Sequence, residues 1–138
     1  MTLSSEERKT LVTYRVQRAH ETWSETKKII EEKLWYAAAN RMYYSCYYMT
    51  TALLISHGLS ASTHAGVIRM LGMNFVLTGF VSKELNRFYC QLFEMRQRGD
   101  YDDYVQISAD DVLPMVEQAE EYMKTLESII ETKIPLCQ

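Results

Sequence analysis

One stretch near the middle of the chain constrains the fold more than any other: residues 40–54, which read NRMYYSCYYMTTALL. The stretch holds four tyrosines, Tyr43, Tyr44, Tyr47 and Tyr48, and it contains no glycine, proline or acidic residue. Residues three and four apart share a face of an α-helix, so these tyrosines would line neighbouring strips of one helix. A helix that is apolar around most of its surface is normally covered by other elements. We therefore predict a central helix with the other segments packed around it.

The composition favours a helical protein. Of the 138 residues, 47% are hydrophobic and 24% are charged, which is the balance of a globular domain. Only five glycines and two prolines are present, so the chain has little turn chemistry. We predict a single all-α domain over residues 1–138, an antiparallel up-and-down bundle of about five helices.

Local sequence features place the helix boundaries. Side chains that can cap a helix precede four of the predicted helices, at Ser4 or Ser5, at Ser62 or Thr63, at Ser82, and at Ser108 with Asp111 three residues on. Helix ends are expected near Gly58, at Gly99 and at Pro135. Residues 34–40 are expected to form a short corner and then the entry into the central helix.

Charge and cysteine content exclude several classes of protein. The formal net charge is −3, which does not suit a protein whose whole surface attracts nucleic acid, although a local basic patch is compatible with it. Cys46, Cys90 and Cys137 are widely spaced, which is typical of neither a disulfide framework nor a zinc site. The first residues are polar and no run of about 18 apolar residues occurs, so we expect neither a secretory signal nor a membrane span. We expect a cytoplasmic protein without a metal or a cofactor.

The most distinctive short segment is residues 94–104, EMRQRGDYDDY. It places Arg96 and Arg98 at the end of a predicted helix, followed by a glycine and three aspartates. Two interpretations stay open. In the first, Arg96 and Asp100 form an ion pair that closes the helix end. In the second, Arg96 or Arg98 binds phosphate, because the guanidinium fork matches phosphate geometry.

Polar residues elsewhere are candidates for the same site. Asn40 and Arg41 stand at the start of the otherwise apolar central helix, and buried polar groups need partners. We therefore expect them to meet residues 96–101. Among the three histidines, His64 at the start of the third helix is retained as a site candidate.

Four pieces of the sequence, taken in their order and spacing, resemble the HEPN domains of bacteria and archaea. They are AAANRMYYSCYYMTTALLISHG (37–58), STHAGV (62–67), RQRGDY (96–101) and SADDVLPMVEQAEEYM (108–123). The resemblance covers about residues 34–130. It is greatest to an uncharacterised branch with a tyrosine-rich second helix and an R-x-x-G-D-Y segment.

The resemblance implies a bundle of four long helices and a shorter one, usually paired as a homodimer. It also implies one of two roles. Many HEPN proteins are metal-independent endoribonucleases, often the toxins of toxin–antitoxin pairs, whose R-x4-6-H motifs from two protomers surround one cleft. Other members are associated with nucleotide binding, or with assisting a minimal nucleotidyltransferase that is encoded alongside.

The histidine of that ribonuclease motif is missing here. The positions at which the motif would place it after Arg96 hold Tyr101, Asp102 and Asp103. A histidine suits proton transfer near pH 7, whereas tyrosine, with an ordinary pKa near 10, is a poor base at that pH. The arginine half of the motif is present without its acid–base half.

Three functions follow from these observations. The leading hypothesis is a non-catalytic module that binds a nucleotide, RNA or a nucleotidyltransferase partner through Arg96, Asp100 and Tyr101. The second is a ribonuclease toxin in which His64 or a tyrosine replaces the motif histidine. The third is a purely structural helical dimer, in which the arginine–aspartate pair only closes a helix.

Overall fold

The computed structural model describes residues 3–134, and this part of the chain is helical with no strand. The helices are α1 (Ser5–Glu31), α2 (Trp35–Ser56), α3 (His64–Leu71), α4 (Lys83–Tyr101), α5 (Ala109–Val112) and α6 (Val116–Lys133). A π-helical segment, Gly72–Val76, continues α3, and a 3-10 turn, Leu113–Met115, joins α5 to α6. These elements make five helical runs, as the sequence predicts.

Helix α2 is the centre of the fold. It contacts every other helix, and thirteen of its 22 residues are buried. Helix α1 runs antiparallel to it, since Arg15 of α1 reaches Thr51 while Arg18, further along α1, lies over Tyr48. None of the helices within residues 3–134 is long and apolar enough to cross a membrane.

The predicted capping residues act as expected. Ser4 and Glu7 form a reciprocal capping box at α1, in which the Glu7 N–H donates to Ser4 Oγ over 3.1 Å. The hydroxyls of Thr63 and Ser82 accept from the first turns of α3 and α4. A second capping box, formed by Ser108 with Asp111, starts α5. Each cap satisfies backbone donors that have no partner within the helix.

The start of α2 corrects one prediction. Residues 34–40 hold the entry into the helix as predicted, but they leave almost no room for the corner, because α2 already begins at Trp35. The three alanines that follow have the highest helix propensity of any residue type, so they extend the helix toward its N-terminus. The chain turns instead through Lys33, which has a φ of 60°. At the other end Gly58 has a φ of 74°, so this glycine stops α2 as predicted.

The end of α4 corrects a second prediction. The helix runs through Gly99 to Tyr101, so Asp100 and Tyr101 are helical and do not belong to the following loop. A Cβ atom at Gly99 would lie 2.5 Å from Ile107 Cδ1, so this glycine provides room for the returning loop and does not end the helix. The same loop is held by Tyr36, whose hydroxyl donates to the Val105 carbonyl over 2.6 Å. The predicted stop at Pro135 lies outside the described residues, as does Cys137.

The central position of α2 gives a stability test. Leu53 is fully buried in α2, whereas Leu77, after the π-helical segment, is 81% exposed. We expect Leu53→Ala to lower the free energy of unfolding by about 2–5 kcal/mol, through lost apolar contact and the cavity left behind. Leu77→Ala is the matched control and should change it by less than about 0.5 kcal/mol. Urea denaturation followed by circular dichroism measures both, and equal effects would contradict this description of the core.

Candidate functional site

A buried arginine lies where the end of α4 meets the start of α2. Arg96 is only 7% exposed, and its guanidinium carbon lies 5.2–5.5 Å from the ring centres of Tyr43, Tyr44 and Tyr101. The Arg96 Nη2 group donates to Tyr44 Oη over 2.7 Å. A cation over aromatic faces is attracted by their π-electron density, so the tyrosine rings compensate part of the cost of burying this charge.

Asp100 joins Arg96 to α2. One helical turn beyond the arginine, its Oδ2 lies 3.1 Å from Arg96 Nε, an ion pair without the alignment of a hydrogen bond. The same oxygen accepts a hydrogen bond of 2.8 Å from Asn40 Nδ2. Of the two interpretations that the sequence leaves open, the ion pair at the end of the helix is therefore present.

Arg41 extends this cluster, whereas Arg98 does not. Arg41 Nε donates to Asn40 Oδ1 over 3.2 Å, and its guanidinium carbon lies 5.1 Å from the ring centre of Tyr44. Two arginines thus lie against one tyrosine ring. Arg98 is exposed, and its side chain makes no hydrogen bond or ion pair within residues 3–134. Two positions along a helix turn a side chain by about 200°, so Arg98 lies on the opposite side of α4 from Arg96.

His64 enters the cluster from the first position of α3. Its Nδ1 lies 2.6 Å from Tyr43 Oη, and its ring centre lies 4.7 Å from that of Tyr47. Partial burial, and then the positive charge of Arg96, lower the pKa of His64 below its ordinary value of 6.5. The neutral form of His64 therefore predominates at pH 7. The structure brings together six of the seven sequence-predicted residues: Asn40, Arg41, His64, Arg96, Asp100 and Tyr101.

The tyrosines of α2 divide between the core and the site. Tyr43 is fully buried and stacks on Tyr89, which in turn stacks on Tyr122 at a centroid distance of 5.2 Å. Burial raises the pKa of all three phenols well above the usual value, so their hydroxyls stay protonated. Tyr44 and Tyr47 are half-buried at the site. Tyr44, a direct partner of Arg96, was not among the predicted site residues, because the sequence does not show which face of α2 meets α4.

Comparison with known proteins agrees with this architecture. The family model described as the HEPN domain matches residues 12–134, most of the chain. The chain belongs to the HEPN domain family. The HEPN domain here is 36% identical over 125 residues to the UPF0332 protein of Thermotoga maritima, covering 91% of this chain and 95% of that protein.

Two archaeal relatives carry a more informative name. Both are proteins of Methanocaldococcus jannaschii with the name "Putative toxin". One is 34% identical over 86 residues, covering 62% of this chain and 64% of the relative. The other is 25% identical over 96 residues, covering 70% and 65%.

The pKa of His64 gives a test of the cluster's electrostatics. We expect an NMR titration of the imidazole to give a pKa below 6.5, and Arg96→Met to raise it by removing a neighbouring positive charge. His57, whose pKa is lowered by burial and Lys133, is the internal control and should not respond to Arg96→Met.

The same shift predicts the pH dependence of folding. Between the lowered folded pKa and the ordinary value, the unfolded chain binds more protons at His64 than the folded chain does. Stability should therefore fall as the pH decreases from about 7, and His64→Gln should reduce that slope. A His64 pKa at or above 6.5 would contradict both expectations.

Proposed function

We propose that this HEPN domain is a non-catalytic module that binds the phosphate groups of RNA or a nucleotide at the Arg96 cluster. The observation that carries the proposal is the incompletely partnered guanidinium of Arg96. Arginine has five N–H donors, yet Arg96 makes one hydrogen bond within residues 3–134, to Tyr44. Its Nη1 makes no hydrogen bond there, so this group keeps donors for a ligand.

The surroundings of Arg96 favour an anion as that ligand. Arg41 and Arg96 lie on the same Tyr44 ring, and Asp100 is the carboxylate in contact with Arg96. Asp100 is shared with Asn40, so it orients the guanidinium and compensates only one of the two positive charges. A guanidinium fork in a partly water-excluded site suits a phosphate oxygen pair.

Tyr101 provides a surface for a base. Its side chain is 68% exposed, while its ring centre stays 5.4 Å from the guanidinium carbon of Arg96. Stacking on an aromatic ring is a sequence-tolerant way to bind a nucleobase. A phosphate at Arg96 and a base on Tyr101 would use both groups at once.

The biological setting that we propose is a toxin–antitoxin pair. It is supported by the two relatives that carry the name "Putative toxin". The partners that we propose are a second copy of the chain and a minimal nucleotidyltransferase. In a two-fold dimer formed through this end of the bundle, the Arg96 clusters of both protomers would face one cleft.

A binding experiment tests the role of Arg96. We expect short RNA to bind the wild-type domain and to bind Arg96→Gln at least about tenfold more weakly, since a charge-assisted hydrogen bond contributes about 1.5–3 kcal/mol. Arg87→Gln is the matched control, because Arg87 is exposed on the same helix and makes no ion pair within residues 3–134. Isothermal titration calorimetry well below the unfolding temperature separates affinity from stability. Equal affinities for both variants would sink the proposal.

A second candidate function is supported by the position of His64. This histidine compensates in space for the one that is missing after Arg96, because Tyr43 contacts both residues. In the tautomer whose Nδ1–H donates to Tyr43 Oη, the neutral Nε2 is free to accept a proton. His64 would take the proton of an RNA 2′-hydroxyl as its oxygen attacks the adjacent phosphorus. The bond from phosphorus to the 5′-oxygen would break, the leaving oxygen would take a proton from solvent, and Arg96 would stabilise the added negative charge.

An RNA-cleavage assay separates the two functions. If His64 is a general base, His64→Gln should lower the cleavage rate by about 100-fold or more while RNA affinity stays near the wild-type value. His20→Gln, on the exposed face of α1, is the matched control. Absence of cleavage by the wild-type protein, with RNA bound, would leave the non-catalytic module as the function.

A further inference from the structure

A second concentration of positive charge lies away from the Arg96 cluster. A cavity of about 450 Å³ opens between the first half of α1, the second half of α2 and the loop after Gly58. Its polar lining includes Arg8, Arg15, Thr51 and Ser60, and its apolar wall is mostly aliphatic. The cavity thus combines two guanidinium groups with an apolar surface.

Among the residues that the structure describes, no acid pairs with either arginine in this cavity. Arg15 Nη1 donates to Thr51 Oγ1 over 3.1 Å, and Arg8 has no side-chain hydrogen bond among the described residues. Neither makes an ion pair within residues 3–134. Arg8 passes over Gly58, where a Cβ atom would lie 3.8 Å from its Nη2. Within residues 3–134, the two guanidinium groups therefore keep hydrogen-bond donors for an anion.

Contacts between side chains connect this cavity to the Arg96 cluster. Tyr47 lines the cavity and also packs on His64 of the cluster. Tyr48 lies beside it, under the guanidinium carbon of Arg18 at 5.3 Å, and contacts the Tyr44 ring at 6.1 Å. We call this surface the arginine–tyrosine strip; it consists of Arg8, Arg15, Arg18, Arg41, Arg96, Tyr44, Tyr47 and Tyr48.

The charge balance of the strip differs from that of the whole chain. Its five arginines meet two carboxylates, Glu21 at 3.6 Å from Arg18 and Asp100 beside Arg96. The chain as a whole carries a net charge of −3. Within the described residues, the arginines of the strip thus outnumber the carboxylates that pair with them, which favours an anionic ligand.

The length of the strip indicates the size of that polyanion. Tyr44, which meets Arg96, and Gly58, which meets Arg8, are fourteen residues apart on and just after α2, or about 21 Å at 1.5 Å per residue. At about 3.4 Å per stacked nucleotide, this distance corresponds to roughly six nucleotides. A mononucleotide would occupy only one end of it.

We infer that the arginine–tyrosine strip binds single-stranded RNA about six nucleotides long, with phosphates on its arginines and bases on its tyrosines. The inference rests on the proposed function, since the RNA-binding Arg96 cluster forms one end of the strip. Grooves that combine basic residues with aromatic rings are typical of single-strand binding. Double-stranded RNA is bound through its shape and backbone over about 16 base pairs, which the 21 Å strip does not match.

The experiment compares RNA length with the loss of the distal arginines. Fluorescence anisotropy with labelled oligouridine of two and eight nucleotides is measured from 0.05 to 0.5 M salt. The variant Arg8→Gln/Arg15→Gln removes the distal end, and Arg69→Gln/Arg87→Gln removes two exposed arginines outside the strip as the charge-matched control. Arg8→Lys/Arg15→Lys keeps the charge, and thermal melting checks that each variant is folded.

For the eight-nucleotide RNA, we expect the slope of log K against log salt to be less steep by about 1.4 in the distal variant. Each phosphate contact on a single strand contributes about −0.7 to that slope, and the variant removes two. Its affinity at 0.1 M salt should fall on the order of tenfold. The lysine variant should keep most of the slope, and dinucleotide binding should not change.

Two results separate failure of this inference from failure of the proposed function. If Arg96→Gln weakens RNA binding while the distal variant binds as its control does, RNA does not extend along the strip. The proposed phosphate site at Arg96 is then kept. If no RNA binds the wild-type protein, both the proposed function and this inference are contradicted. A distal variant that changes only the sedimentation coefficient would make the strip an interface between protein chains and overturn the inference.

Discussion

Burial of the positive charge on Arg96 is the constraint on which the arrangement of the site depends. An isolated charge in a protein interior costs several kcal/mol, so a buried arginine is retained only where its surroundings compensate it. Here Asp100 supplies the counter-charge and Tyr44 supplies an acceptor and a ring face. Because Asn40 also binds Asp100, these contacts fix the start of α2 against the end of α4. The tyrosines of α2 therefore stabilise the fold and shape the site at the same time.

Much of the fold could be predicted from the sequence because local interactions decide it. The caps at Ser4, Thr63 and Ser82 depend on residues three apart, and the aromatic surface of α2 requires a covered helix whatever covers it. The misplaced end of α4 came from a contact between the helix and the loop that follows it. A glycine at position 99 suggests the end of a helix. In the structure this glycine instead makes room for Ile107, which lies eight residues further along the chain. That contact exists only once the loop has folded back onto α4.

The site was predictable to the extent that it is built from helical spacing. Arg96 and Asp100 are one turn apart, so their ion pair follows from periodicity. The meeting of His64 with Tyr43, and of Arg15 with Thr51, joins segments 21 and 36 residues apart, which the sequence alone does not relate. Arg98 was a candidate that the structure does not bring to the cluster. Because α4 continues to Tyr101, Arg98 lies on the far side of that helix from Arg96.

The position of His64 changes what the missing motif histidine implies. A motif of fixed spacing detects a histidine only when it follows the arginine closely in the sequence. Acid–base chemistry requires instead that the two side chains lie close together in space and have suitable protonation states. His64 comes from another helix, yet it is bonded to a tyrosine that also touches Arg96, and burial beside that positive charge keeps it neutral. The hydrogen bond to Tyr43 determines which imidazole nitrogen carries the proton, and therefore whether Nε2 accepts or donates. If His64 is the general base of the proposed ribonuclease, it needs the tautomer that carries the proton on Nδ1, because that tautomer leaves Nε2 unprotonated.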